Sequence, residues 1–218
     1  MQQQVSRQRG WWIGGAIVGA TLFGTMAIWQ ASGTPAMDTA AMSAVAAWHT
    51  PVLTAVMKAV TFLGDTPFLT ALCLGMLVLL RPRENGVRFA ANGALIAGLN
   101  NLLKTLFARP RPEAALRLAE VSGFSFPSGH AMGSTAIYGF LIYLVWGTRW
   151  PRRCKVALAA ALGLLIAAIV CSRVYLRVHY PSDVLGGVGA SVLWLSLAIP
   201  TSNAGVRAWQ SRRAAKTE

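Results

Sequence analysis

The densest set of reactive side chains lies in Cys171-Ser-Arg-Val-Tyr-Leu-Arg-Val-His-Tyr-Pro-Ser-Asp183, where Arg173, Arg177, His179 and Asp183 separate two apolar runs. Ionisable groups beside hydrocarbon-spanning sequence are costly and mark functional positions. His179 and Asp183 are four residues apart. If the chain is helical there, Asp183 accepts from His179 Nδ1–H and leaves Nε2 free to act as a nucleophile on phosphorus. Pro181 stands between them, so the helix starts near that point. Asp183 then has a second reading, as a first-turn acidic residue favoured by the helix dipole.

Two further clusters have matching chemistry. Lys104 closes an apolar run and, four residues from Asn100, shares its helical face. Pro127-Ser-Gly-His130 opens another apolar run. Ser128 and the backbone N–H groups after it can hydrogen-bond an anion at a helix N-terminus, although Pro-Ser-Gly alone also suits a plain N-cap and turn. Between them, Arg109, Arg111 and Arg117 lie in a loop from Phe107 to Gly129. Cations without a matching set of carboxylates imply an anionic ligand, and Arg, Lys and a helix start are the usual parts of a phosphate cradle. No acidic cluster would hold Mg²⁺ and no third histidine lies near His130 and His179 for zinc, so no metal and no cofactor is expected.

The elements that position these groups read as membrane helices. The 218 residues are 55% hydrophobic and 12% charged, against roughly 25% charged in a soluble domain. The net charge of +13 would suit nucleic acid, but most of the Lys and Arg sit in short segments between apolar runs, as topology determinants do. Six spans are expected, at about 11–30, 66–80, 88–107, 129–146, 156–173 and 182–200, in one domain covering 1–218. The first could be a signal peptide, but its apolar stretch exceeds the usual h-region of about 7–15 residues, which favours a retained span. Gly10, Gly14, Gly15 and Gly19 suit it to close helix packing. Between spans 1 and 2, Thr54, Lys58 and Thr61 recur on one helical face and Val52, Val56 and Val60 on another, which predicts an amphipathic interfacial helix. His49 beside it reads as an interfacial residue. Asp65-Thr-Pro67 reads as a helix start, and Cys73, Cys154 and Cys171 read as packing residues.

Six spans place both termini on one side. With them go Arg7 and Arg9; Arg81, Arg83 and Arg88; Arg149, Arg152, Arg153 and Lys155; and Arg207, Arg212, Arg213 and Lys216, thirteen of the 20 basic residues. The positive-inside rule makes that side cytoplasmic and puts Lys104, His130 and His179 together on the external face of the cell (inner) membrane.

Taken together, these residues resemble the type 2 phosphatidic acid phosphatase (PAP2) superfamily, whose signature has three parts. Lys-x6-Arg-Pro matches Lys104 with Arg111-Pro112, Pro-Ser-Gly-His matches residues 127–130, and Ser-Arg-x5-His-x3-Asp matches Ser172, Arg173, His179 and Asp183. The spacing assigns the first arginine to Arg111 rather than Arg109. The resemblance implies that Lys104, Arg111, Ser128, Gly129 and Arg173 bind phosphate. It also implies that His179 forms a phosphohistidine, Asp183 orients it and His130 is the acid/base. Arg109, Arg117 and Arg177 fall outside the signature; they either contact a headgroup or face water, and the second reading is favoured. The expected activity is metal-independent hydrolysis of a membrane lipid phosphate or diphosphate: undecaprenyl diphosphate, phosphatidylglycerophosphate or phosphatidate. A lipid phosphotransferase of the same family is the alternative, and a lipid transporter without turnover the reading from another class. The expected partner is the lipid substrate, not nucleic acid.

Overall fold

The computed structural model describes residues 2–215, with side chains for 9–212 and 215. Among these residues the only regular structure is helical. The chain runs α1 (Gln2–Ala31), α2 (Ala36–Ala46), α3 (Pro51–Phe62), α4 (Thr66–Leu79), α5 (Arg83–Phe107), a 3₁₀ turn (Ala114–Leu116), α6 (Gly129–Trp146), α7 (Arg152–Tyr175) and α8 (Pro181–Ala214). Among the described residues four segments are long and apolar enough to cross a membrane: Arg9–Ala31, Pro51–Leu79, Arg152–Tyr175 and Pro181–Arg212. The Arg7 and Arg213 side chains and Lys216, counted above as topology determinants, lie outside the described residues.

The packing is that of a membrane bundle, with bulky apolar side chains turned outward. Leu164 of α7 is 72% exposed and Ile17 of α1 62%, positions that suit acyl chains and not water. Small residues instead bring helices together, as expected where lipid supplies no hydrophobic drive for association. A Cβ on Gly19 would collide with the α8 backbone at Gly189 and Leu193, so only glycine permits the α1–α8 contact. Gly15 meets Ser196 of α8, whereas Gly10 and Gly14 face open space. Only half of the expected glycine stripe is therefore an interface.

Local signals set the helix ends near the site. Thr50 caps α3 by accepting from Leu53 N–H at 3.2 Å, and Pro51 occupies the first turn, where its missing N–H costs nothing. Ser128 caps α6 by accepting from Ala131 N–H. Ala108 ends α5 in the left-handed region, with φ 43° and its N–H on Lys104 O at 2.9 Å. Arg177 does the same beyond α7, at φ 57°. Each such residue costs about 1–2 kcal/mol, and each turns the chain into a site arm, at Arg109 and at His179.

Several expectations need correction. The helix that carries the expected sixth span, α8, runs on past Pro200 to Ala214. A proline inside a helix leaves a carbonyl one turn back without its donor. Here that carbonyl is Ser196 O; in the next turn Thr201 Oγ1 donates to Leu197 O and Ala198 O at 2.8 and 3.0 Å. On the polar face of α3, Thr54 meets the Tyr175 hydroxyl at 3.0 Å and Thr61 is buried, whereas Lys58 is exposed, as are Val52 and Val56. Of the cysteines only Cys73 is buried; Cys154 and Cys171 are exposed, so the packing reading fails for two of three. His49 is structural, with Nε2 3.0 Å from Tyr175 O and its ring edge-on to Tyr175.

Candidate active site

The three signature segments meet at one end of the bundle, where α5 ends, α6 begins and α7 hands over to α8. Asn100 joins the first two. Its Nδ2 donates to Pro127 O at 3.2 Å, and a Cβ on Gly129 would lie 3.0 Å from its Oδ1 and 3.9 Å from Lys104 Cε. Glycine at 129 therefore leaves the α6 start accessible beside Lys104. The second and third segments join through Ser128 N–H, which donates to Asp183 O at 3.0 Å.

His179 is held from both sides. Arg111 Nη1 lies 3.1 Å from His179 Nε2, and the same guanidinium donates to Val178 O, Gly123 O and Ser122 O. On the other side Asp183 Oδ2 lies 3.4 Å from Nδ1 and Ser125 Oγ 3.3 Å from it. Ser125 donates to the same Oδ2 at 2.5 Å, and Tyr180 N–H adds a third bond there at 2.8 Å. The carboxylate is thus fixed before any substrate arrives. Burial pushes the His179 imidazole down to about 3, with nearby Arg111 and Arg173 adding to the shift and Asp183 opposing it. The ring is neutral at physiological pH. Burial also lowers the Arg111 guanidinium from its ordinary value, but it stays charged.

The other predicted residues line the same space. Arg173 is buried; its Nη1 donates to Thr61 Oγ1 at 2.6 Å and its Nε has no hydrogen-bond partner among the described residues. A buried guanidinium donor of this kind calls for an acceptor. Lys104 Nζ donates to Phe124 O at 2.8 Å. His130, the first side chain of α6 after Gly129, places Nε2 2.5 Å from Asp65 Oδ1. Among the described residues no group of three or more His, Cys, Asp or Glu is arranged to hold a metal ion.

Four participants were not legible from the sequence. Ser125 carries no motif. Thr61 and Asp65 lie on the α3–α4 junction, and Asp65, expected as a helix cap, makes no side-chain cap bond and turns to His130 instead. Asp38 of α2 is fully buried beneath the site. Arg109 is a correction: expected to face water, it is 5% exposed and bridges Asp38 and Asp183. Arg117 folds back onto Pro112 O, and Arg177 is only partly exposed, with a buried Nε.

A groove of about 510 Å³ opens from this end between α4, α5 and α6. Gly64, Thr66, Asn100 and Gly129 line its mouth; Ala90, Gly93, Ala94, Ala97 and Gly133 widen it along apolar neighbours such as Leu69 and Ile137.

Buried cations around a neutral, carboxylate-backed histidine, carried on an all-helical membrane bundle, define a membrane phosphatase. Residues 86–205 match the model of the PAP2 superfamily, and the chain belongs to that family. It is 34% identical to phosphatidylglycerophosphatase B of Bacillus subtilis (strain 168) over 161 residues, which is 72% of this chain and 78% of that one. It is 33% identical to decaprenylphosphoryl-5-phosphoribose phosphatase of Mycobacterium tuberculosis (strain ATCC 25618 / H37Rv), over 55% of this chain and 63% of that one. Its fold is similar to the crystal structure of a transmembrane PAP2-type phosphatidylglycerolphosphate phosphatase from Bacillus subtilis. The TM-score is 0.75 at 30% identity, covering 86% of this chain and 96% of the other.

Proposed function

We propose that the protein hydrolyses a lipid phosphate or diphosphate in the membrane through a phosphohistidine on His179. The observation that carries this is the pairing of His179, with Arg111 on Nε2 and Asp183 behind Nδ1, with an apolar groove that reaches Gly129. A headgroup phosphate would sit among Lys104, Arg111, Arg173, Ser128 and the Gly129 and His130 amides, where fixed donors stabilise charge on its non-bridging oxygens. The lipid chain would follow the groove into the bilayer.

In the first step the Nε2 lone pair of His179 forms the N–P bond as the P–O bond to the lipid oxygen breaks, and that oxygen takes a proton from His130. In the second, water gives a proton to His130 and attacks phosphorus, the N–P bond breaks and inorganic phosphate leaves. Asp183 holds the ring in one tautomer throughout. No step needs a metal ion.

The six crossings fit α1, α4, α5, α6, α7 and α8, with α2 and α3 covering the site at the external interface. The exposed Val52 and Val56 of α3 support that placement. With the basic connections cytoplasmic, both termini face the cytoplasm and the site faces outward in the cell (inner) membrane. Residues 1–218 act as one domain, because α2, α3 and the α3–α4 junction contribute Asp38, Thr61 and Asp65 to the site.

The test is release of inorganic phosphate by the protein purified in detergent, with and without EDTA. The substrates are phosphatidate, phosphatidylglycerophosphate and undecaprenyl diphosphate, with no acceptor lipid present. Turnover that survives EDTA and disappears in His179→Ala is expected. Undiminished turnover in His179→Ala would overturn the nucleophile assignment.

A further inference from the structure

We propose that Asp38 and Arg109 are positioning residues that, with Asp183, form a buried charge chain setting the nucleophilic strength of His179. The inference rests on His179 being the nucleophile, and neither residue belongs to the three-part signature.

The geometry is that of a built network. Arg109 Nη1 lies 2.5 Å from Asp183 Oδ1 and 2.7 Å from Ser182 Oγ, and its Nη2 lies 2.8 Å from Asp38 Oδ2. Asp38 accepts in addition from Ser182 N–H at 2.9 Å and Ser182 Oγ at 2.5 Å. The guanidinium stacks on Tyr180 at 4.3 Å. Both carboxylates are fully buried and Arg109 is 5% exposed. Buried ion pairs often add little to stability compared with apolar packing, so three ionised groups here are a poor choice for mere cohesion.

The charge count suggests their use. Arg109 paired with Asp183 alone would make a neutral unit and draw electron density away from the histidine. The second carboxylate returns the unit to a net charge of −1. When Nε2 of His179 forms the N–P bond and the ester P–O bond breaks, the ring keeps its Nδ1 proton and becomes cationic. A net anion behind Nδ1 stabilises that cation in surroundings where water screens poorly. Arg109 also occupies Oδ1, which leaves Oδ2 for Ser125, Tyr180 N–H and His179.

The test compares the full-length protein with Asp38→Asn, Arg109→Gln and the double variant, all purified in detergent. Each is assayed for kcat and KM on whichever of phosphatidate and phosphatidylglycerophosphate turns over faster, with His179→Ala alongside. Asn at 38 keeps the shape and an acceptor but removes the charge, so kcat should fall about tenfold or more with KM within about twofold. Arg109→Gln leaves two carboxylates uncompensated and should also lose kcat. The double variant restores the charge of −1 and should exceed both singles in kcat. A purely structural role instead lowers the thermal midpoint and leaves kcat per folded molecule at the parental value in Asp38→Asn. Asp38→Asn with parental kcat, or a folded double variant no better than the singles, overturns the proposal. If the double variant does not fold, by size-exclusion profile, the Asp38→Asn result decides alone. An active His179→Ala would overturn the underlying mechanism, whereas an inactive one beside a parental Asp38→Asn overturns this inference only.

Discussion

Arg111 Nη1 lies 3.1 Å from His179 Nε2, and a guanidinium can only donate, so Nε2 is the unprotonated nitrogen and Nδ1 carries the hydrogen toward Asp183. This is the tautomer that the proposed in-line attack by His179 needs. In the proposed mechanism a phosphate oxygen would take over the arginine's donor and free the lone pair. Lysine at this position keeps the charge but cannot bond Gly123 O, Ser122 O, Val178 O and His179 at once. Arg111→Lys is expected to lower kcat/KM by about 100-fold, measured as initial rates of phosphate release. A loss under threefold would show that charge alone suffices.

The depressed value of His179 has two consequences in pH. The ring stays neutral well below pH 6, so nucleophile protonation does not limit activity at mildly acidic pH. In histidine-labelled protein in micelles, the ¹⁵N signal absent from His179→Asn should not titrate between about pH 7 and 5. For stability the sign follows from the direction of the shift. Between the ordinary value of 6.5 and about 3, the unfolded chain binds a proton that the folded chain does not. This contribution is fully present above about pH 6.5 and is lost as pH falls through that window. His179→Asn should flatten the decline in thermal midpoint between pH 6.5 and 5. An unchanged slope would mean that the buried ring takes no part in acid sensitivity.

The reach of the sequence stops at contacts between distant helices. The signature places Lys104, Arg111, Ser128, His130, Arg173, His179 and Asp183 in one site because their spacing is tied to local chemistry at helix ends. The α6 boundaries at Gly129 and Trp146 follow from a cap and an apolar run. Arg109 reads as water-facing because nothing local marks its partner Asp38, 71 residues away, as a buried carboxylate. Asp65 looks like a helix cap by its neighbours Thr66 and Pro67, yet its side chain serves His130, 65 residues on. Periodicity placed Thr54 and Thr61 on one face of α3 but could not tell water from a neighbouring helix as what that face meets. Ser125 stands in an irregular loop, where no period or spacing applies.

Asp65 makes a single close contact, 2.5 Å from His130 Nε2, across the α4–α6 boundary. In the proposed second step, where His130 takes a proton from water, an anion there would stabilise the imidazolium that forms. Asp65→Asn keeps the shape and removes the charge. It should slow phosphohistidine breakdown about tenfold or more while sparing its formation. In rapid-quench experiments with ³²P-labelled lipid, the variant should accumulate labelled enzyme that the parent turns over. Equal slowing of formation and breakdown would assign Asp65 a structural role instead.

The groove gives a prediction about chain length. Ala94 and Ala97 of α5 line it without touching the charged cluster, and both are exposed to it and not packed in the core. Leucine at Ala97 would add three carbons to a space of about 510 Å³, enough to narrow the path for a long acyl or prenyl chain. The binding energy lost scales with apolar contact given up, at about 0.8 kcal/mol per buried CH₂. Displacing two or three methylenes therefore costs roughly 10- to 60-fold in affinity. Ala97→Leu should raise KM for a long-chain lipid phosphate by at least about fivefold, and for its eight-carbon analogue by much less. The change should be smallest in kcat, because His179, Arg111 and Asp183 are untouched. Equal losses on long and short chains would mean that the lipid leaves the site by another route.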